Sequence, residues 1–273
     1  MDTDRIKKFI SEGHQQIEGW FFPLDQLAFF EIFSVQALLN IRGDVAEVGV
    51  YQGKSLALLS LLKSPEERLL GFDLFRDDHL ERTEKNLEKH GLNTGVELVK
   101  ALTTDIARPD LDIMLKTPLK FLHIDAGHEY HEVLEQLLLF SPYLTDAGVI
   151  AMDDYQDREF PGIEAAVLDF AEIDRPRRFV PFLASGNKLF LCASWMANTI
   201  QKQLLSRPNF LDSCRLSRVR DFNVLIMRSK LPVPSKYILA QLERLGFPNR
   251  QDADLSLHEK SAEFSQITFG AGE

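Results

Sequence analysis

The chain has few cysteines and a deficit of basic residues. Cys192 and Cys214 are its only two cysteines, and they form no CxxC pair, so we expect neither a disulfide framework nor a structural zinc site. Lysine and arginine number 31 against 41 aspartates and glutamates, which gives a formal net charge of −10. This acidic balance argues against a nucleic-acid binder and against a polybasic membrane-surface protein, because both need clustered positive charge.

Long apolar runs and a leader-like start are also missing. The longest apolar runs, such as Leu56–Leu62 and Leu137–Phe140, are far too short to span a bilayer. The first residues, MDTDRIKKFI, lack the apolar stretch of a signal peptide. We therefore expect a soluble, cytoplasmic protein. The 273 residues are 45% hydrophobic and 26% charged, which is typical of a globular chain that needs no staple.

Short apolar runs alternate with helix-length segments through the middle of the chain. The runs show little polar alternation, as expected of strands covered on both faces. The predicted strands are 45–50, 68–73, 96–101, 120–125, 148–154, 177–183 and 188–194. This alternation predicts a parallel sheet with right-handed crossovers, and the Ala-Ser-Gly-Asn turn before the last strand predicts an antiparallel hairpin at a sheet edge. The predicted fold class is α/β, a doubly wound Rossmann-like seven-stranded sheet with an antiparallel terminal hairpin.

Helical extensions are expected on both sides of this core. Residues 1–43 are expected to form an N-terminal helical cap. Its aromatic cluster at 20–22 is expected to pack the helix on the sheet; the alternative is that the cluster forms a substrate lid. Residues 44–194 form the predicted core. Residues 195–273 predict a C-terminal extension that serves as a lid or in oligomerisation, with an arginine-bearing stretch on its surface.

Acidic residues follow four of the predicted strands. In an open α/β sheet, ligands bind beyond the carboxyl ends of the strands. The acids at those ends are Glu47, Asp73, Asp125, Asp153 and Asp154. Their convergence on one rim predicts a ligand site there.

Three interpretations compete for the turn that carries Glu47, Gly49, Tyr51 and Gly53. A dinucleotide site needs a glycine where Tyr51 stands, which disfavours NAD. A phosphate-binding P-loop needs one more residue before its Gly-Lys-Ser, and it leaves Asp73 without a task. A nucleoside without phosphate fits better, because Glu47 would face a cationic amino-acid portion and Asp73 would accept hydrogen bonds from ribose. S-adenosylmethionine has this chemistry.

Three carboxylates at neighbouring strand ends predict a metal site. Asp125, Asp153 and Asp154 would converge on one hard cation such as Mg²⁺, Mn²⁺ or Ca²⁺, since such ions prefer oxygen ligands. The alternative is that Asp153 or Asp154 only caps the following loop.

The histidines near this rim predict a general base. His128 lies three residues past Asp125 at a helix start, where a neutral imidazole would take a proton from a substrate hydroxyl; the alternative is a bond to local backbone. His131 lies one turn on, but a transition-metal pair would lack a third ligand. His123, inside a strand, is expected to be a packed core histidine.

With these motifs the sequence resembles class I S-adenosylmethionine-dependent methyltransferases, and within them the metal-dependent sugar O-methyltransferases of the macrocin O-methyltransferase type. The matching pieces are EGW (18–20), AEVGVYQGKS (46–55), GFDLF (71–75), IDAGHEYHEV (124–133), LTDAGVIAMDDY (144–155) and PGIEAAVLDF (161–170). They spread over more than half of the chain.

The resemblance implies a role for each matched residue. The implied cofactor-binding residues are Glu47, Gly49, Tyr51, Gly53, Ser55, Asp73, Asp105 and Asp125; the implied metal ligands are Asp125, Asp153 and Asp154; and the implied base is His128. Ser55 would meet the cofactor's carboxylate at a helix N-terminus, and Asp105 would lie near the adenine. Gly127 stands where many relatives carry a second acid, which gives the base role to His128.

The predicted activity is Mg²⁺-dependent methyl transfer from S-adenosylmethionine to a hydroxyl of a sugar, a phenol or another small natural-product acceptor. The metal would lower the pKa of the reacting hydroxyl and His128 would remove its proton. Two alternatives stay open: a cofactor-binding protein with a non-methylating role, and a P-loop-like nucleotide hydrolase. The expected partners are the small acceptor and, in a homo-oligomer, copies of this chain, with no nucleic acid and no membrane.

Overall fold

A mixed sheet lies at the centre of the fold. The structure is a computed structural model, and it describes residues 2–173, 179–207 and 214–228. Its nine strands are β1 Asp44–Val48, β2 Leu69–Asp73, β3 Val96–Lys100, β4 Leu119–Ile124, β5 Leu144–Met152, β6 Phe179–Ser185, β7 Lys188–Ala193, β8 Cys214–Val219 and β9 Phe222–Met227. The strand order is β3-β2-β1-β4-β5-β7-β6-β9-β8.

Eight α-helices surround this sheet in the described residues. They are α1 Thr3–Lys8, α2 Pro23–Leu38, α3 Lys54–Leu62, α4 His79–Lys89, α5 Arg108–Met114, α6 Tyr130–Phe140, α7 Pro161–Glu172 and α8 Ser194–Leu205. A π-helical turn (Phe9–Gly13) follows α1, and 3-10 turns cover His14–Gln16, Thr103–Asp105 and Ser141–Tyr143. Within the described part of the chain, none of the helices has the length and apolar character that crossing a membrane requires.

The five strands from β3 to β5 are parallel, as predicted, and alternate residues of the central ones enter two separate cores. On one face of the sheet Val45 and Phe121 join the core that contains the N-terminal helices. On the other face Ala46 and Leu122 join the core beneath α6 and α7. Burial on both faces explains why these strands are apolar without alternation.

The predicted hairpin is present, but it does not lie at a sheet edge. β6 pairs antiparallel with β7, and β7 pairs antiparallel with β5. The outer side of β6 is covered by β9 in parallel, and β8 then pairs antiparallel with β9. The sheet therefore has nine strands rather than the predicted seven, because the apolar run 222–227 supplies a partner for the open backbone groups of β6.

Some predicted elements fall only partly on described residues. Residues 177 and 178 of the sixth predicted strand lie outside them, as do 208–213 and 229–273 of the predicted extension. The arginine-bearing stretch lies in and just after β8, where the side chains of Arg215, Arg218 and Arg220 are exposed.

The helix α2 is embedded in the core. The ring centroid of Phe29, which lies on this helix, is 5.0 Å from that of Phe121 and 5.2 Å from that of His123. Both of these partners lie on β4. Of the aromatic cluster ahead of this helix, Phe21 is buried, whereas Trp20 and Phe22 are 83% and 50% exposed. The packing expected of all three therefore holds for Phe21 alone.

A buried ion pair connects α2 to the end of α8. The Nε of Arg207 lies 2.5 Å from Oε2 of Glu31, and both side chains are more than nine-tenths buried. Burial raises the pKa of Glu31 to about 7, although the charge of Arg207 opposes the shift. The N-terminal and C-terminal parts of the fold are thus held together by a group that titrates near neutrality.

Replacing Glu31 with Gln tests this assignment. Because the pKa of Glu31 is higher in the folded chain, its contribution to stability is present at low pH and is lost as the pH rises from about 4.5 through about 7. The unfolding free energy of Glu31→Gln, relative to the native chain, should therefore rise by about 2 kcal/mol between about pH 5 and about pH 8 in urea titrations. The exposed Glu84→Gln serves as the control and should track the native profile. Parallel profiles for all three proteins would contradict the raised pKa of Glu31.

Candidate active site

A cavity of about 1000 Å³ lies beyond the carboxyl ends of β1, β2, β3 and β4. This volume is at the upper end for a small-molecule site. Four of the residues predicted from the sequence line it: Gly49, Tyr51, Asp73 and His128. The predicted rim is therefore a concave surface, with the loop after β1 on one wall and the start of α6 on the other.

The carboxylate of Asp73 holds the loop after β1 in place. Its Oδ2 accepts hydrogen bonds from the backbone N–H groups of Val50 and Tyr51 at 2.7 and 2.9 Å, and its Oδ1 accepts one from Phe75 at 2.5 Å. A P-loop needs such N–H groups free for phosphate, and here a carboxylate occupies them. The Nζ of Lys54 donates to the carbonyl of Gly19 at 2.8 Å instead of pointing into the loop. This geometry disfavours a nucleotide phosphate.

Gly49 is required by the close approach of two strand ends. The N–H of Asp125 donates to the carbonyl of Val48 at 2.7 Å, and the N–H of Gly49 donates to that of Phe72 at 2.8 Å. Gly49 has a φ of +90°, and a Cβ built on it would overlap the backbone carbonyl of Asp125. Only glycine fits this place, so the motif glycine serves strand packing before it serves any ligand.

The segment 18–20, the EGW of the resemblance, covers the outside of this loop. The hydroxyl of Tyr51 donates to Oε1 of Glu18 at 2.9 Å, and the ring of Tyr51 stacks with that of Trp20 at 6.3 Å between centroids. Tyr51 has a φ of +52°, which is uncommon for a residue with a side chain. The N-terminal segment therefore helps to fix the loop conformation.

Several predicted cofactor residues do not reach the cavity. Glu47 is fully buried behind it, Ser55 is buried in the first turn of α3, and Gly53 precedes that helix with a φ of +84°. Asp105 is exposed at the end of a 3-10 turn, whereas its neighbours 101–104 line the cavity.

Two of the three predicted metal ligands come together with a histidine. His123, Asp125 and Asp153 each offer a ligand atom, and these atoms lie within 4.8 Å of one another. Nδ1 of His123 contacts Oε1 of Glu47 at 2.7 Å, and its Nε2 lies 3.8 Å from Oδ2 of Asp153. His123 is therefore buried, as predicted, but it joins two acids across three strands. The third predicted ligand, Asp154, lies outside this cluster.

A lysine that the sequence reasoning missed reaches the same acids. Nζ of Lys188, the first residue of β7, forms an ion pair with Oδ2 of Asp153, and Lys188 is 2% exposed. Burial alone would raise the pKa of Asp153, but Lys188 and His123 outweigh it and hold that pKa below its usual range. The pKa of Asp125 is instead raised by burial and by the charge of Asp153. The only sequence signal was a lone lysine at the start of an apolar run.

A second residue that the sequence did not reveal is an acid whose charge acts on this lysine. Asp25 of α2 is buried, and its Oδ1 accepts a hydrogen bond from Oγ of Ser185 at 2.7 Å. Burial raises the pKa of Asp25 to about 7, against the opposing charge of Lys188. An aspartate within an apolar helix was the available signal, but only the fold brings it to the turn before β7.

Asp154 faces the predicted base. Its Oδ2 lies 3.5 Å from Nε2 of His128, and its Oδ1 accepts a hydrogen bond from the side chain of Asn187 at 2.9 Å. The ring of His128 stacks on Phe160 with 4.0 Å between centroids, and its side chain is 47% exposed. His128 is thus oriented by an acid and a ring while it remains open to the cavity.

The residues present do not fit the predicted Mg²⁺. Oδ2 of Asp153 already contacts the ammonium of Lys188, and Oδ1 of Asp153 accepts the N–H of Asp154 at 2.8 Å. Asp154 is engaged by Asn187 and His128. Mg²⁺ needs several unencumbered oxygen ligands, and a cation on Asp153 would be repelled by the adjacent ammonium.

Part of the chain matches a known family model. Residues 46–155 match a family model described as a methyltransferase domain. Protein R132 of Acanthamoeba polyphaga mimivirus is 32% identical over 127 residues, which make up 44% of this chain and 56% of that protein. The chain therefore spans little more than half the length of this curated relative.

Solved structures share the fold. CalS11, a TDP-rhamnose 3′-O-methyltransferase of calicheamicin biosynthesis, aligns with a TM-score of 0.50 and 18% identity over 70% of this chain and 92% of its own. The O-methyltransferase NovP aligns with a TM-score of 0.51 and 16% identity over 62% of this chain and 78% of its own. At such identities the likeness is one of fold. Together with the family match, it confirms the resemblance to class I S-adenosylmethionine-dependent methyltransferases.

Gly49→Ala tests the close approach of the strand ends. The added methyl group meets backbone that cannot move aside, so we expect a loss of about 3 kcal/mol of unfolding free energy. The control is Gly71→Ala on β2, whose new Cβ meets only the side chains of Val50, Leu98 and Leu56 at 3.0–3.2 Å and should cost about 1 kcal/mol. Equal losses in chemical denaturation would refute the assignment.

Proposed function

We propose that the protein transfers a methyl group from S-adenosylmethionine to a hydroxyl of a small acceptor. The observation that carries the proposal is the pairing of two walls across one cavity: the loop held by Asp73 on one side, and His128 with Asp154 on the other. The first wall suits a nucleoside without phosphate, and the second suits removal of a hydroxyl proton.

The cofactor half rests on charge and shape. Asp73 uses three of the about four lone-pair sites of a carboxylate on backbone N–H groups, which leaves room for one donor such as a ribose hydroxyl. Leu74 and Leu102 line the cavity although they are 39% and 43% exposed, and such apolar surface suits the face of an adenine ring. The surplus of carboxylates around the cavity suits a cationic sulfonium.

The transfer step needs little beyond positioning and a base. Bound S-adenosylmethionine would supply an activated methyl group: the acceptor oxygen would bond to the methyl carbon as the carbon–sulfur bond breaks, and the electron pair of that bond would stay on sulfur in S-adenosylhomocysteine. The hydroxyl proton passes to the imidazole of His128, and the nearby carboxylate of Asp154 stabilises the imidazolium that forms. Orientation of the reactants supplies much of the remaining acceleration.

A sugar hydroxyl is the acceptor that we favour, within natural-product biosynthesis. The name of the fold relative CalS11, a TDP-rhamnose 3′-O-methyltransferase, supports this choice. The exposed ring of Trp20, stacked on Tyr51 beside the cavity, supports it too, because sugars and phenols both bind to such aromatic surfaces. The proposal contains no metal step, since Lys188 already occupies Asp153.

The predicted alternatives are less well supported. The carboxylate of Asp73 on the loop N–H groups argues against a nucleotide hydrolase, and no feature of the described residues favours a non-methylating role.

Asp73→Asn tests the cofactor half. An asparagine side chain keeps one acceptor oxygen, so the loop loses part of its anchor and the ribose loses a charged acceptor; we expect an affinity for S-adenosylmethionine at least about tenfold weaker by calorimetric titration. Asp110→Asn, at an exposed position of α5 outside the cavity, is the control and should bind as the native chain does. Native protein that binds ATP in preference to S-adenosylmethionine would sink the proposal.

His128→Gln tests the base. The turnover number should fall by about 10²–10⁴-fold with sugar or catechol acceptors, because general-base assistance contributes that much. Affinity for S-adenosylmethionine should stay unchanged, and the rise of rate with pH should disappear. His90→Gln, on the distant α4 side, controls for the loss of a histidine. A native pH–rate profile in His128→Gln would remove this residue from the mechanism.

A further inference from the structure

We propose that the ammonium group of Lys188 is the built-in cation of the acidic rim, so that this chain performs its chemistry without a divalent metal. The role of Lys188 in the reaction rests on the proposed function. The ion pair that Lys188 forms with Asp153 is independent of that function. Lys188 contacts Asp153 and is not among the residues that line the cavity, so it is a positioning residue.

Sheet topology delivers Lys188 to this place. β7 runs antiparallel to β5, with Leu189 opposite Met152, so the residue before Leu189 lies beside the residue after Met152. Those residues are Lys188 and Asp153. The ammonium therefore reaches the carboxyl ends of the parallel strands from a strand that runs the other way.

The residues around Lys188 stabilise its positive charge. Its Nζ lies 5.3 Å from the centroid of the Phe21 ring, an arrangement that favours a cation over the ring face. The carboxylates of Asp25 and Asp125 interact electrostatically with it, in addition to the direct ion pair with Asp153. A buried ammonium is costly unless it is paired, and here Asp153 pairs with it directly.

The same turn organises the base. Asn187, next to Lys188, donates to Asp154, and Asp154 faces Nε2 of His128 at 3.5 Å. The N–H of Tyr155 donates to the carbonyl of Asn187 at 2.7 Å, which fixes the turn against the end of β5. Lys188 and Asn187 together orient Asp153 and Asp154, two of the three residues that the resemblance gave to a metal ion.

Manganese binding to the unliganded protein tests the proposal directly. We expect the native chain to leave added Mn²⁺ free, as read by electron paramagnetic resonance. Lys188→Met removes one positive charge at a few ångströms and should strengthen Mn²⁺ binding by about 100-fold or more. Lys120→Met is the matched control, because Lys120 is a buried lysine paired with Glu67 at 2.5 Å and lies outside the three-ligand cluster; it should gain no Mn²⁺ affinity.

A second variant guards against a folding defect. Lys188→Met combined with Asp153→Asn removes both charges of the pair, so it should fold and bind no Mn²⁺. Native protein that binds Mn²⁺ as tightly as Lys188→Met would overturn the proposal. So would native methyl transfer that stops in chelator and returns with Mg²⁺.

The outcomes also separate this inference from the proposed function. Native protein that binds S-adenosylmethionine but needs Mg²⁺ for transfer would refute the role of Lys188 and leave the function standing. A native protein that binds neither Mn²⁺ nor S-adenosylmethionine would refute the proposed function. If Lys188→Met then bound Mn²⁺, the role of Lys188 as the cation of the rim would still be supported.

Discussion

The carboxylate of Asp153 lies buried at the end of β5, where it stays ionised because Lys188 and His123 reach it from neighbouring strands. That ion pair links the parallel half of the sheet to the antiparallel half, since Asp153 follows β5 and Lys188 begins β7. Through His123 the network continues to Glu47 on β1. Removing either member of such a pair would leave an unpaired charge buried away from water, so the strands on both sides depend on the pair.

A second constraint acts on the wall of the cavity that carries the loop after β1. The ends of β1 and β4 approach so closely that only Gly49 fits, and Asp73 then gathers the N–H groups of the following loop. The loop is therefore shaped by the protein's own carboxylate and glycine. A pocket arranged in this way keeps negative charge where the phosphate of a P-loop nucleotide would have to lie, which disfavours such a phosphate.

The flanks belong to the same structural unit as the core. The helix α2 contributes Phe29 against β4 and Asp25 beside Lys188, and it is joined to the end of α8 through Glu31 and Arg207. β9 continues the sheet from β6, so the hairpin that was expected at an edge lies inside it. The charged groups at the acidic rim thus come from the N-terminal cap and from the core, which includes β7 after the turn at 185–188.

The sequence by itself determined the order of strands and helices, the parallel arrangement and the rim, because two-face burial and strand-end acids are local patterns. It also singled out His128 and Asp73, which both line the cavity. It did not reveal that Asp153 is paired, because Lys188 is 35 residues away along the chain and Asp25 is farther still. Only the antiparallel return of β7 and the packing of α2 bring these charges together. Charge compensation in a buried site depends on distances between distant residues, and local sequence patterns carry no such distances.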